Sequence, residues 1–191
     1  MATKPLNRSL GNGVCFPLGA HAGIVRRLLS TAIDLVAVFV LLIGLLFVSY
    51  FISDSIQTDL GTETIFFWIF MSWLYLTTFK ASKMRTLGYR ITGLKIVDHQ
   101  CNAPSTYTMT LRLCLTWIGP FNPLTDLLWI GADPNGRSLR DCYTRTHVVR
   151  NTATPTGTAR LFMVYYNALG CTFSYPSASN ANAADKAENA T

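Results

Sequence analysis

The sequence predicts an α-helical membrane protein: two transmembrane helices, a re-entrant or short helical hairpin, a small cytoplasmic β-ribbon and extended termini. Three observations lead there. Half of the 191 residues are hydrophobic and only 14% are charged, against roughly a quarter in an average soluble domain. Two long apolar stretches enclose a loop that carries acids and no base. The basic residues behind the net charge of +6 gather at the outer flanks of those stretches, as the positive-inside rule requires of a membrane chain. No zinc-finger spacing, basic helix or aromatic-and-basic stripe accompanies them, so nucleic acid is not an expected partner.

The first apolar stretch, Leu28 to Ile52, holds Asp34 as its only charge and follows Arg26 and Arg27 directly. About 25 residues at ~1.5 Å each cover a hydrocarbon core of about 30 Å with some tilt. It is too long for a signal-peptide core and has no small-residue cleavage site near its end, so it reads as a retained anchor. The loop "SDSIQTDLGTE" supplies Asp54, Asp59 and Glu63, and "TIFFWIFMSWLYLTTF", Thr64 to Phe79, forms the second span. Lys80, Lys83 and Arg85 follow it. Basic flanks before the first span and after the second put both on the cytoplasmic or matrix side. Lys80, Lys83 and Arg85 are expected to meet anionic lipid headgroups there. The acid-poor, basic N-terminus suits a bacterial inner membrane or a mitochondrial inner membrane.

The third apolar region, "LRLCLTWIGPFNPLTDLLWIGA", is interrupted by "GPFNP", which cannot continue a helix. A single crossing would also leave Arg137, Arg140, Arg145 and Arg150 on the wrong side. A hairpin with arms near 109–119 and 123–131 avoids both problems, with Asn122 and Pro123 as cap and first turn of the second arm. "RITGLKIVDH" and "RTHVVR" alternate loosely and are expected to pair as the cytoplasmic ribbon, with "DPNGRS" as a turn between them and the hairpin. Four segments follow: an N-terminal extension over 1–22, a membrane domain over 23–150, an interfacial or strand-like segment over 151–176, and a low-complexity tail over 177–191.

Three ordered motifs resemble the RDD family of small membrane proteins, named for one arginine and two aspartates. "RLLSTAID" carries Arg27 and Asp34 at the family's seven-residue spacing. "TLGYRITGLKIVD" matches the family's Thr-Pro-Gly-Lys-Arg motif and following strand at Thr86, Gly88, Arg90, Gly93, Leu94, Lys95 and Asp98. "DPNGRSLRDCYTRTHVV" resembles the closing motif, with Asp141 as the second named aspartate. The resemblance runs from about Gly23 to Arg150. The chain departs from the pattern at Leu87, Tyr89, Arg140 and Arg145, where the family has Pro, Lys, His and Gly. What the resemblance implies is a membrane protein whose relatives include proposed cation/proton exchangers and subunits or assembly partners of larger complexes.

Asp34 lies roughly 9 Å into the span, where an ionised acid costs on the order of 2.5–3.5 kcal/mol unless it is paired or protonated. Arg27 is nearly two turns away and leans out of the bilayer. Each is therefore expected to meet a residue from another segment: Asp34 with Arg112 or Arg90, and Arg27 with Asp141. These five form the expected ion-pair core. Asp34 and Asp126 are the candidate transport acids, Asp126 also sitting where a helix N-terminus favours an acid. Five scattered cysteines suggest neither disulfides nor CxxC chemistry. A metal site built from His99, Cys101, Cys142 and His147 has spacing too loose to prefer over reduced cysteines and surface histidines. No nucleophile elbow, zinc-protease motif or phosphate-binding glycine loop occurs. The expectation is a non-enzyme without cofactor or metal. It acts as an accessory or assembly subunit that binds other membrane subunits or itself, or alternatively as a small oligomeric cation/proton transporter using Asp34.

Overall fold

A computed structural model describes residues 11–17, 19–118, 123–133, 136–168 and 171–178. Its elements in chain order are β1 (Asn12–Cys15), α1 (Ile24–Ile56), α2 (Gly61–Leu74), a π-helical turn (Tyr75–Phe79), α3 (Leu87–Ile91), β2 (Leu94–Asp98), α4 (Thr106–Leu115), α5 (Pro123–Ala132), α6 (Leu139–Tyr143), β3 (Thr146–Arg150), β4 (Gly157–Ala168) and β5 (Cys171–Ala178).

Helix α1 inverts the burial pattern of a water-soluble helix. Most of its 33 residues are apolar and most are exposed, and the residues it buries are Ser30 and Asp34. Exposed leucine and phenylalanine around a buried acid is the arrangement of a helix surrounded by lipid. Among the described residues α1 is the one helix long and apolar enough to cross a membrane by length and composition. The expected second span differs from a plain helix. Its α-helical part has 14 residues and passes into the five-residue π turn before helical geometry resumes at Lys80. Trp68 Nε1 donates to the Val38 carbonyl of α1 at 3.0 Å, which ties the two helices side by side.

The ribbon is antiparallel, with Leu94 opposite Arg150 and Ile96 opposite Val148. Ala22 N–H donates to the Val148 carbonyl at 3.0 Å and Arg150 N–H to the Ala20 carbonyl at 2.9 Å, so the segment leading into α1 borders β3. One face buries Leu94, Ile96 and Val148 against Ala22, Tyr89 and Met109. Gly93, at φ +67, supplies the left-handed turn that starts β2.

The expected helical hairpin corresponds to α4 and α5, ten residues each. At about 15 Å apiece neither reaches across a bilayer core. Ser105 caps α4 by accepting from Thr108 N–H at 3.2 Å. The "GPFNP" break, the Asn122 cap, the tip of "DPNGRS" and all but the start of the 177–191 tail lie outside the described residues.

Two expectations need correction. The fold is mixed helical and sheet rather than helical with one ribbon, and its termini do not simply extend outwards. Strand β1, from the N-terminal extension, pairs with β4, and β4 pairs with β5, giving a second sheet of order β1-β4-β5. Of the 151–176 segment, expected to be interfacial or strand-like, Gly157–Ala168 and the residues from Cys171 on are strand. Phe173 and Tyr175 of β5 pack on Trp129 of α5 and on Leu139 and Cys142 of α6. The sheet forms because its apolar side chains find that second core, a contact no local pattern announces.

Arg145, just before β3, has φ 54, a left-handed conformation that costs an L-residue roughly 1–2 kcal/mol. This is the position where the resembled motif has glycine. Arg145→Gly should therefore raise stability by about 0.5–1 kcal/mol, net of glycine's larger unfolded-state entropy, read as the melting temperature in detergent.

Candidate functional site

Four carboxylates are buried, those of Asp34, Asp126, Asp133 and Asp141, and the polar interior is organised around Asp34 and Asp141. Asp34 is 1% exposed. Its Oδ1 accepts from the Gly88 backbone N–H at 2.9 Å and from the Tyr75 hydroxyl at 3.2 Å. Its Oδ2 accepts from the Thr86 hydroxyl at 2.9 Å, and Lys80 Nζ lies 3.2 Å from the same oxygen. Asp34 thus caps the N-terminus of α3 from another helix, since Thr86, the N-cap residue, makes no side-chain bond to the α3 backbone itself. The first free N–H of α3, that of Leu87, donates to the Tyr75 hydroxyl at 2.9 Å. Helix ends leave such donors unsatisfied unless a neighbour accepts them.

The π turn explains how one helix presents two of these groups. Its hydrogen bonds run from i to i+5, so Tyr75 and Lys80, five apart, come to the same side and both reach Asp34. Close approach of α3 to α1 depends on Gly88. A Cβ there would lie 2.1 Å from the Ser30 carbonyl oxygen and 2.8 Å from Asp34 Oδ1.

Asp141 organises the other end. Arg27 donates from Nη1 to Asp141 Oδ2 at 2.5 Å, from Nε to the Ala22 carbonyl at 2.9 Å and from Nη2 to the Gly136 carbonyl at 3.2 Å. Arg112 pairs with Asp141 Oδ1 and donates to the Thr146 hydroxyl at 2.5 Å. Ser138 and Asp141 form a reciprocal capping box at the start of α6. Burial alone would raise the Asp141 pKa, but the Arg112 and Arg27 guanidiniums outweigh it and hold the carboxyl well below the usual carboxylate range.

The expected partners of Asp34 are therefore corrected. Arg112 is taken by Asp141 and Thr146. Arg90 is exposed, because two residues along α3 turn it about 200° from Gly88. Lys80, expected at the headgroup surface with Lys83 and Arg85, turns inward to Asp34 and lies 4.6 Å from the Tyr89 ring centroid. Asp126 stands in the first turn of α5, 3% exposed, and pairs with Arg140. Arg140 also donates to the Thr116 hydroxyl of the α4 C-terminus at 2.6 Å, which closes α4, α5 and α6 on one another. The sequence reading missed the Asp133–Arg137 pair, whose Arg137 Nη2 reaches Ser177 of β5 at 3.0 Å. Their four-residue spacing was a signal, but they sit in the Asp-Pro segment of the motif rather than in a regular helix.

Three of the four departures from the resembled motif have visible compensation. Leu87 brings an N–H that proline lacks, and the Tyr75 hydroxyl accepts it. Tyr89 replaces a lysine, and the Lys80 ammonium sits over its ring. Arg140 replaces a histidine and meets Asp126.

A cavity of about 250 Å³ lies between α1, the π turn and the helical hairpin, lined by both Asp34 and Asp126. Elsewhere, the four residues of the weighed metal site do not form a cluster. Cys142 is packed with Trp129 and Leu139, and burial pushes its thiol up to about 12. His147 instead neighbours His21, Nδ1 to Nε2 at 3.4 Å. Among the described residues no three His, Cys, Asp or Glu side chains converge on a metal position.

Two outcomes follow. Gly88→Ala should cost about 2–4 kcal/mol by forcing α3 off α1, comparable with severe overpacking, measured by thermal melting in detergent. His21 and His147 each fall from 6.5 to about 4, first through burial and then through Arg27 and Arg137 respectively. The unfolded chain therefore binds protons that the fold refuses. Stability should be full above about 6.5 and decline as the pH falls towards about 4. Replacing both histidines by Asn should flatten that slope in a pH series of melting curves.

Comparison with known proteins agrees with the motifs. No curated protein and no solved structure matches the chain. The profile of the RDD family matches residues 21–145, a stretch that contains α1, the ribbon's first strand, α4, α5 and both Asp34 and Asp141. With more than half of its length matched, this membrane chain belongs to the RDD family.

Proposed function

We propose that the protein is a non-catalytic accessory or assembly subunit of a larger membrane complex. The observation that carries this reading is the saturation of Asp34. Four groups from two segments converge on its two oxygens, and an ion or proton entering there would have to break the α3 cap. Asp126 is likewise held by Arg140. Acids bound this way clamp helices together, and a clamp suits a rigid scaffold for partners better than a relay. In this reading the helical run from α2 through the π turn completes a second span. The hairpin sits at membrane depth, and the N-terminal end of α1 faces the cytoplasm or matrix. Exposed Lys83 stands at the headgroup level of a bacterial or mitochondrial inner membrane.

The cavity beside Asp34 and Asp126 favours a second reading, a small oligomeric cation/proton transporter. Native mass spectrometry of the protein extracted from its own membrane in mild detergent separates the two. Stoichiometric foreign subunits are expected. A homo-oligomer free of them, with sodium or proton flux in vesicles that Asp34→Asn abolishes, would overturn the subunit reading.

A further inference from the structure

The cavity beside the carboxylates carries more positive charge than they neutralise. Arg27, Lys80, Arg112 and Arg140 all line it, facing Asp34 and Asp126. Asp141, behind the wall, pairs with Arg27 and Arg112. Among the described residues four cations thus meet three carboxylates, leaving one positive charge beside a partly open cavity. Such a charge is costly without a counter-ion. Arg112 has five N–H donors, yet among the described residues it contacts its partners through Nη1 alone.

The remaining walls are mostly apolar, with the hydroxyls of Ser30, Thr31, Thr116 and Ser138 among them. Leu35, Leu113, Trp117 and Ile130 belong to the apolar part, and two of them continue onto the outer surface, Leu35 at 59% and Trp117 at 86% exposed. The volume, about 250 Å³, falls below the usual small-molecule range of roughly 300–1,000 Å³. It admits a headgroup but no acyl chain.

We propose that this cavity binds the phosphate diester of one anionic phospholipid, with the acyl chains lying outside along α1 and Trp117. One negative charge matches the one uncompensated cation. A guanidinium presents paired donors to phosphate oxygens, and Arg112 and Arg140 offer two such groups. A free phosphate shares that chemistry but leaves the apolar walls and their exposed continuation unused. A zwitterionic lipid brings a cation into a site that already has one in excess. The site depends on α1 lying in a membrane and is independent of whether the protein serves a complex or transports an ion.

The test is native mass spectrometry of the full chain in micelles doped with phosphatidylglycerol or phosphatidylcholine at equal mole fraction. A third arm contains millimolar inorganic phosphate alone. One phosphatidylglycerol should be retained in preference to phosphatidylcholine by on the order of tenfold, the weight of a charge-assisted contact. Arg112→Gln should abolish that preference. Because Arg112→Gln also removes one of the two cations paired with Asp141, Leu113→Trp serves as the second variant: it keeps every charge, fills the space and should abolish the preference as well. Equal retention of the two lipids by the wild-type protein would overturn the proposal. So would a preference unchanged in Leu113→Trp. Retention of inorganic phosphate without phosphatidylglycerol would show a free-anion site and overturn the lipid.

Discussion

The hydrogen bonds from α3 to Asp34 are the constraint on which the rest of the structure depends. A carboxyl group inside an apolar helix is tolerated only when its oxygens have polar partners. Here a backbone N–H, two hydroxyls and an ammonium are those partners. Each donor fixes something else. Gly88 must lack a side chain so that α3 can approach α1. The π turn must rephase its helix so that Tyr75 and Lys80 face the same way. With α3 placed, Tyr89 and Leu94 enter the ribbon core, and β2 leaves in the direction that lets β3 pair with it.

Asp141 does the same for the distal half. It gathers Arg27 from α1, Arg112 from α4 and the capping box of α6, so three helices meet at one carboxylate beneath the ribbon. The three residues for which the family is named therefore divide between two jobs. Asp34 joins α1 to α3, while Arg27 and Asp141 join α1 to α6. Buried pairs of this kind are weak evidence for net stability, because desolvation opposes them. Their clear effect is to permit one arrangement of the helices and penalise the others.

Much of this was legible in the sequence, and the failures have physical causes. The apolar run around Asp34, the break between the hairpin arms and the ribbon strands are local patterns of hydropathy and turn chemistry, and α1, α4, α5, β2 and β3 stand at those places. Arg27 and Asp141 could be matched by charge alone. The partners of Asp34 could not, because three of its four donors are a backbone N–H and two hydroxyls that carry no charge to match. Lys80 was assigned to the surface for the same reason that it proved useful inside: its long stem reaches either way. The β1-β4-β5 sheet joins Asn12 to Arg160. Pairing so distant in sequence rests on side-chain packing against α5 and α6 rather than on any pattern within the strands.

The central claim is that Asp34 acts by holding the start of α3. The most direct measurement is a double-mutant cycle between Asp34→Asn and Thr86→Val, read as unfolding free energy in detergent. The account predicts coupling of about 1–2 kcal/mol, with the double variant little worse than Asp34→Asn alone. Strictly additive losses would mean that the two side chains act independently, and would contradict it.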